Sequence, residues 1–322
     1  RSEQPGGFDF QGVANAALEA WNEQLSRIKA TFRTERERTI FYTAMYHYMV
    51  APQLWNDVTG DYMGADFKVH RGADYNTLTT WSLWDTYRAA HPLATIIMPD
   101  RMRDYAKTML AIYREWGELP VWHLVSNDTY CMVGEPAVPV LSDIILKGEA
   151  GDDIDINEAY EAVCSSMLPT EYGKMRRVPL RGKDYLAELG YLPYDGREGE
   201  VIGKSMEYYI AAWAAAQLAG RLGHKEDSIR FYEVSMNYKR LYDRRVNVMR
   251  ALDMKGEFRP LPENFNPNQQ TRDYTEGNPW QYTFLVPHDV KGLAEVMGGD
   301  KALEQRLDDL LAASSDLGEG EI

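Results

Sequence analysis

The spacing of the apolar residues is the feature that most limits what this chain can fold into. Between positions 101 and 116 they recur every three or four positions, on one face of an α-helix: Met102, Tyr105, Met109, Ile112 and Trp116. Segment 206–218 (MEYYIAAWAAAQL) is instead apolar on most faces, which predicts a helix that is buried on several sides. Amphipathic and fully buried helices in alternation indicate two concentric helical layers.

Helical spacing of this kind extends over most of the chain, and Pro and Gly separate its segments. We expect helices near 10–30, 36–55, 77–98, 100–116, 135–147, 156–167, 204–222, 225–250, 279–297 and 300–313. Strand signals are sparse, with one short hairpin arm expected at 66–71. The Gly- and Pro-rich segment 176–203 and the Asn-rich segment 259–274 predict long loops, which often carry function in a helical domain.

These elements predict an all-α protein. Its expected fold class is an incomplete (α/α)6 toroid of about ten helices, with long loops and few short strands. No linker divides the 322 residues, so we take 1–322 as one barrel core. An irregular all-α domain is the alternative that the pattern leaves open.

Charge and hydropathy exclude several classes of function. The chain has 35 basic and 49 acidic residues and a net charge of -14, which argues against nucleic acid and against an anionic membrane surface as partners. No apolar run reaches the roughly 18 residues that a membrane-spanning helix needs. The two cysteines, Cys131 and Cys164, provide neither a disulfide framework nor a CxxC metal pair.

The segment 274–282 (YTEGNPWQY) carries the residues best suited to chemistry. A carboxyl beside apolar aromatic surface is poorly solvated, so its pKa rises, and Glu276 could then act as an acid near neutral pH. Asn278 and Gln281 offer neutral oxygens that suit a hard cation or sugar hydroxyls, and Trp280 offers a flat apolar face for a sugar ring. The alternative is that Gly-Asn-Pro only starts a helix and that Glu276 is solvated.

Three further segments resemble parts of a binding cleft. Asp85 and Arg88 lie one helical turn apart in 81–88 (WSLWDTYR). At this spacing they could form an internal ion pair, or Asp85 could bind sugar hydroxyls. Segment 120–132 (PVWHLVSNDTYCM) gathers Trp, His, Asn and Asp in one loop, where His123 is alternatively a structural histidine. His288 and Asp289 could form an acid–base pair or a hydrogen bond inside a helix.

Taken together, these motifs resemble glycoside hydrolase family 92, the calcium-dependent exo-acting α-mannosidases. The resemblance rests on four motifs in the family's order, and it extends over nearly all of the chain. They are SLWDTYRAAHPL (82–93), LPVWHLVSNDTYCMVG (119–134), LGYLPYDGREGEVIGKSMEYY (189–209) and DYTEGNPWQYTFLVPHDVKGL (273–293).

The resemblance implies an (α/α)6 catalytic barrel, release of terminal mannose from glycans and inversion at the anomeric carbon. It places the general acid at Glu276 and a calcium ion near Asn278 and Gln281, where the ion would bind the mannose 2- and 3-hydroxyls. Asp85 matches a family aspartate that binds the terminal mannose. The candidate sugar-contacting residues are Asp85, Trp84, Trp122, Asn127, Trp280 and His288.

The chain also departs from the family pattern. Neither the usual N-terminal β-sandwich nor the later base-bearing segment (GNDD-x-GQ) is recognisable, so we expect the base and the partner domains of the enzyme outside this chain. Segment 209–213 (YIAAW) lacks the two adjacent acids usual there. A non-catalytic glycan-binding module, or an inactive part of such an enzyme, is therefore the alternative function. Export to the periplasm, surface or medium is expected from the family only.

Overall fold

The structure, a computed structural model, describes residues 9–172 and 180–314. Helices dominate these residues. In the first half they are α1 (Phe10–Leu25), α2 (Glu35–Val50), α3 (Leu83–Thr86), α4 (Ala90–Ile97), α5 (Met102–Trp116), α6 (Ala137–Leu146), α7 (Ile156–Met167) and α8 (Pro169–Tyr172). In the second half they are α9 (Lys183–Leu189), α10 (Val201–Leu222), α11 (Lys225–Ser235), α12 (Tyr238–Leu241), α13 (Pro279–Thr283), α14 (Val290–Met297) and α15 (Asp300–Ala312).

Helix α10 is the central element, as its apolar sequence predicts. Most of its 22 residues are buried, and it packs against α6, α7 and α11. Helix α5 buries four of the five residues of the predicted stripe, with Met102 and Met109 fully enclosed, and Trp116 at its end is half-buried. Two apolar clusters meet along α10. One joins it to α4–α7 and α11, and the other joins its N-terminal half to α9, α12, α13 and α14.

Short antiparallel strand pairs connect the helices. β1 (Gln53–Leu54) pairs with β4 (Leu78–Thr79), and β2 (Tyr62–Met63) pairs with β3 (Val69–His70). β5 (Trp81–Ser82), β6 (Trp122–Leu124) and β7 (Asn127–Asp128) form a three-stranded sheet, in which Ser82 lies opposite Trp122. β8 (Tyr242–Asp243) pairs with β9 (Val248–Met249). The hairpin arm expected at 66–71 is confirmed as β3 and its preceding turn.

Five of the expected helices are wrong in their extent. Those expected at 10–30 and 36–55 end early, at Leu25 and Val50, and strand β1 follows the second. Segment 77–98 begins with β4 and β5, because its first residues pair with β1 and β6, and only α3 and α4 follow. The helix expected at 225–250 ends at Ser235 and gives way to α12 and the β8–β9 hairpin. Segment 279–297 divides into α13 and α14, since Pro287 lacks an amide hydrogen to donate within a helix.

The loop expectations are partly confirmed. Of segment 176–203, residues 176–179 lie outside the described residues, and the remainder contains α9 and the start of α10. Segment 259–274 is irregular throughout, as expected.

The all-α class with few short strands is confirmed. None of the described helices is long and apolar enough to cross a membrane.

Candidate active site

The segment 274–282 forms a loop that runs into α13. Asn278 is the N-cap of this helix and forms a capping box with Gln281. Asn278 Oδ1 accepts from the Gln281 amide at 3.2 Å, and Gln281 Oε1 accepts from the Asn278 amide at 3.0 Å. Pro279 occupies the first helical turn, where its missing N–H costs little. The helix-start interpretation of Gly-Asn-Pro is therefore correct as a structural description.

Neighbouring elements hold this loop close to α10. The Tyr282 hydroxyl donates to the Thr275 carbonyl at 2.7 Å, and the Tyr274 hydroxyl donates to the Met249 carbonyl at 2.6 Å. At Gly203, in the first turn of α10, a Cβ atom would lie 2.4 Å from Thr275 Oγ1. Only glycine permits so close an approach of the loop to the helix.

Glu276 is exposed and lines a cavity of about 260 Å³. Its backbone is left-handed, with a φ of 45°. Residues from α3, the loop, α13 and its C-terminal side line the cavity. They are Trp84, Arg88, Thr275, Glu276, Gly277, Gln281, Tyr282 and Leu285. The structure thus brings together three residues that the sequence singles out, namely Glu276, Gln281 and Trp84.

A buried carboxyl that the sequence analysis missed supports one wall of the cavity. Glu207 of α10 accepts hydrogen bonds from Trp84 Nε1 at 3.2 Å, from the Tyr87 hydroxyl at 2.6 Å and from the Arg88 guanidinium at 2.6 Å. Burial raises the pKa of Glu207, and the charge of Arg88 opposes that shift. The available signal was one acid within the otherwise apolar segment 206–218, since a buried charge needs partners.

Asp85 is exposed on α3 and does not line this cavity. Its carboxylate accepts a hydrogen bond from the Ser82 hydroxyl. Arg88 pairs with Glu207 at 2.6 Å rather than with Asp85, so the expected internal Asp85–Arg88 pair is wrong. The Asp85 carboxylate therefore forms no ion pair with Arg88. It lies on the same helix as Trp84, next to it in sequence.

Trp122 and Asn127 belong to the β6–β7 hairpin, outside the cavity of Glu276. Trp122 is half-buried and Asn127 is exposed. Asp128 holds the hairpin by accepting from the amides of Val121 at 2.6 Å and Tyr130 at 2.8 Å. The adjacent His123 is buried, and burial lowers its pKa to about 4. A neutral, enclosed imidazole agrees with the structural interpretation of His123.

Trp280 does not present a free face to the cavity. It is only 9% exposed, and the Arg306 guanidinium lies 4.1 Å from the centre of its ring. This cation–π contact occupies the surface on which a sugar was expected to stack. Trp84 is as enclosed as Trp280, and the Arg88 guanidinium lies 5.4 Å from the centre of its ring, but it is the indole that lines the cavity of Glu276.

His288 lines a second, larger cavity of about 950 Å³, which shares Arg88 and Leu285 with the first. Its Nε2 lies 3.1 Å from the Ser235 carbonyl oxygen and therefore carries the proton that it donates, while the buried Nδ1 has no partner. Burial lowers its pKa. Asp289 caps α14 through the Gly292 amide at 2.9 Å and accepts from Tyr238 at 2.7 Å. It is engaged as a helix cap.

An all-α barrel core whose cavity gathers a carboxylate, an amide and an indole agrees with the carbohydrate-processing class that the motifs indicate. The chain belongs to glycoside hydrolase family 92, since residues 1–320 match the catalytic domain of that family. The family expected from the sequence motifs is thereby confirmed, and so is the (α/α)6 class, through the match to the family's solved structures.

Solved structures and one curated relative resemble the chain closely. An α-mannosidase of the family from Bacteroides thetaiotaomicron, solved with mannoimidazole, is 31% identical, with a TM-score of 0.86 over 97% of this chain and 40% of that one. An inverting mannosidase from Bacteroides thetaiotaomicron VPI-5482 is 30% identical, with a TM-score of 0.86 over 96% and 41%. An uncharacterised secreted glycosidase from Arthroderma benhamiae is 25% identical over 95% and 39%.

The chain therefore spans about two fifths of the length of these relatives, from 39% to 41%.

Proposed function

We propose that this chain is part of an inverting exo-α-mannosidase that releases terminal mannose from glycans, with Glu276 as the general acid. The observation that carries the proposal is the shared cavity of Glu276, Gln281 and Trp84. The likeness to one mannosidase solved with mannoimidazole and to another described as inverting supports it.

The proposed acid is positioned by backbone rather than by a neighbouring side chain. Glu276 lies between Thr275, whose carbonyl is held by Tyr282, and Gly277, where a Cβ would come within 2.9 Å of the Tyr282 ring. This arrangement leaves the carboxyl at the opening of the cavity, where a glycosidic oxygen would arrive. Protonation of that oxygen lowers the barrier to cleavage, because the leaving alcohol is a poor leaving group when it is ionised.

Gln281 offers the cavity one oxygen of the kind that a calcium ion binds. The Gln281 side-chain oxygen uses one lone pair in the capping box and keeps the other, and a neutral amide oxygen is a ligand that Ca²⁺ accepts. Asn278 is buried, outside the cavity lining, and its role would be to orient Gln281. When bound, the ion would supply positive charge for the mannose 2- and 3-hydroxyls. We propose Gln281 as its ligand from this chain.

The remaining substrate contacts are proposed from position. Trp84 would face the sugar within the cavity, and Asp85 would accept hydrogen bonds from the terminal mannose one residue further along α3. The rest of the glycan would contact residues outside the cavity of Glu276, namely Trp122, Asn127 and His288. The general base, a β-sandwich and the remainder of the barrel would come from outside these 322 residues. Export is proposed from the relative described as secreted.

The acid assignment is tested by Glu276→Gln in the complete gene product. General acid catalysis contributes roughly 10²–10⁴-fold, so we expect a loss of this size in kcat on a mannose disaccharide. On 2,4-dinitrophenyl α-mannoside, whose leaving group needs no proton, the loss should stay within about tenfold. Glu263→Gln, at an exposed loop position, is the matched control. Equal small losses on both substrates would contradict the assignment.

A second candidate function is a glycan-binding module without chemistry. The observation that favours it is segment 210–212, where the family's usual acids are absent and Ala211 and Ala212 are packed inside α10. Calorimetry with a mannose disaccharide, followed by product analysis after prolonged incubation, separates the two functions. Binding without released mannose in the complete gene product supports the module, and release of mannose with an inverted anomer, seen by NMR, supports the enzyme.

A further inference from the structure

Three side chains with metal-binding groups lie together, away from the cavity of Glu276. They are Asp66 and His70 of the β2–β3 hairpin and Glu115 near the end of α5. One ligand atom from each lies within 4.8 Å of the other two. His70 Nε2 is 3.0 Å from Asp66 Oδ1 and 3.5 Å from Glu115 Oε1. All three are half-buried, so an ion could reach them from solvent.

The two separations from His70 match the edges of a coordination polyhedron. Ligands about 2.1 Å from a metal lie roughly 3.0 Å apart in an octahedron and roughly 3.4 Å apart in a tetrahedron. An imidazole nitrogen with two carboxylates favours a transition ion such as Zn²⁺ over Ca²⁺, because calcium prefers oxygen ligands alone.

Surrounding groups hold the ligands in place. The Tyr62 hydroxyl donates to Glu115 Oε1 at 2.7 Å, and the Ala65 amide donates to Glu115 Oε2 at 2.7 Å. The Tyr62 ring stacks on His70, with centroids 5.1 Å apart and planes at 17°. Fixed partners of this kind orient ligands and are a regular feature of metal sites. Lys68 opposes binding, since its ammonium lies 3.3 Å from Asp66 Oδ2, but its side chain is largely exposed and free to move away.

We propose that Asp66, His70 and Glu115 form a divalent transition-metal site of the Zn²⁺ type, which fastens the β2–β3 hairpin to the end of α5. The site is separate from the calcium position proposed beside Glu276. Its effect would reach further, because the Met63 carbonyl in the same hairpin accepts from Trp55 at 2.8 Å and from Ser126 at 2.7 Å. Ser126 belongs to the turn between β6 and β7. Ion binding would therefore stabilise the connection between hairpin, turn and helix.

The test measures metal binding to the chelator-treated protein. Titration calorimetry gives the Zn²⁺ affinity, and absorption spectra report on the coordination of Co²⁺ in the same site. We expect one site of micromolar or tighter Kd, weakened at least 100-fold in His70→Ala and about 10-fold in Tyr62→Phe. The latter change keeps the ring that stacks on His70 and removes the hydroxyl, with its bonds to Glu115 and Tyr75. His47→Ala, at an exposed helical position, is the control and should bind as the original does. Circular dichroism confirms that each variant is folded.

Zn²⁺ affinity that is unchanged in folded His70→Ala, or a Kd in the millimolar range for the original protein, would overturn the proposal. Mannosidase activity is not the readout, so these outcomes are independent of the role of Glu276.

Discussion

Glu207 offers the sharpest test of how the core of α10 supports the cavity. Its carboxyl accepts hydrogen bonds from Trp84, Tyr87 and Arg88, three residues of one segment that lies far away along the chain. In Glu207→Gln an amide oxygen in the place of Oε1 can still accept from Trp84 and Arg88. The amide NH₂ group then replaces the oxygen that accepts from Tyr87, and Arg88 loses its anionic partner.

The cost follows from these contacts. Removing one partner of a buried ion pair costs about 3–5 kcal/mol, and a hydrogen bond to a charged group about 1.5–3 kcal/mol. The Arg88 side chain is 37% exposed, so water solvates part of the charge left behind. We therefore expect Glu207→Gln to lower the free energy of unfolding by about 2–4 kcal/mol. Because Trp84 and Arg88 line the cavity, binding of a mannoside should weaken as well.

The assay is urea unfolding, together with the affinity for mannoimidazole measured by calorimetry. Glu304→Gln, at an exposed position of α15, should change neither quantity by more than about 0.5 kcal/mol. Glu207→Asp, which keeps the charge on a shorter side chain, should recover part of the stability and part of the affinity for mannoimidazole. A Glu207→Gln protein as stable as the control and with unchanged affinity would refute the idea that this carboxyl positions the cavity wall.

Three further outcomes are expected. Gly203→Ala should cost about 1–3 kcal/mol in urea unfolding, because its Cβ would lie 2.4 Å from Thr275 Oγ1, whereas Gly199→Ala meets no atom within 4 Å and serves as control. Burial lowers the pKa of His91 to about 3, from 6.5, so the stability that it contributes is present above pH 6.5 and is lost as the pH falls. In His91→Gln the acid dependence of unfolding between pH 7 and pH 5 should shrink by about 2 kcal/mol, and in the exposed His47→Gln it should not. Chelation should abolish mannoside hydrolysis by the complete gene product and added Ca²⁺ should restore it, and activity that survives thorough chelation would exclude the calcium proposal.

The local sequence pattern was sufficient to predict elements whose backbone hydrogen bonds all lie within one segment. Helices α5 and α10 follow from spacing alone, because each forms its hydrogen bonds within one continuous segment. Segment 77–98 was misjudged because Leu78 and Trp81 pair with Leu54 and His123, and such distant partners leave no trace in local spacing. Strand pairs of two residues are too short for an alternating pattern to show.

The same distinction applies to the site. The sequence supplied Glu276, Gln281 and Trp84, which the cavity collects. It missed Glu207, whose partners lie 119 to 123 positions away, and it gave Trp280 a free face that Arg306 covers. Residue types and short spacing identify which groups are able to do chemistry. Only tertiary packing decides which of them are already engaged with another part of the protein.

The capping box shows how one spacing can serve two purposes. Asn278 and Gln281 are three positions apart, which suits reciprocal bonding at a helix start and also suits two oxygens near one ion. Since each side-chain oxygen has two lone pairs, the capping box fixes the Gln281 side chain without exhausting it. A ligand held in this way loses little conformational freedom when an ion binds.

Inversion needs a second carboxylate about 6.5–9.5 Å from the acid, with room for water between them. Among the described residues that line the cavity, Glu276 is the only carboxylate. Glu207 lies behind the wall but is unsuited to the task, since it is buried and its two oxygens accept from three donors, which leaves no access for water. The geometry of the cavity thus agrees with the proposal that the base comes from another part of the enzyme, and that the two catalytic carboxylates meet only when that part is in place.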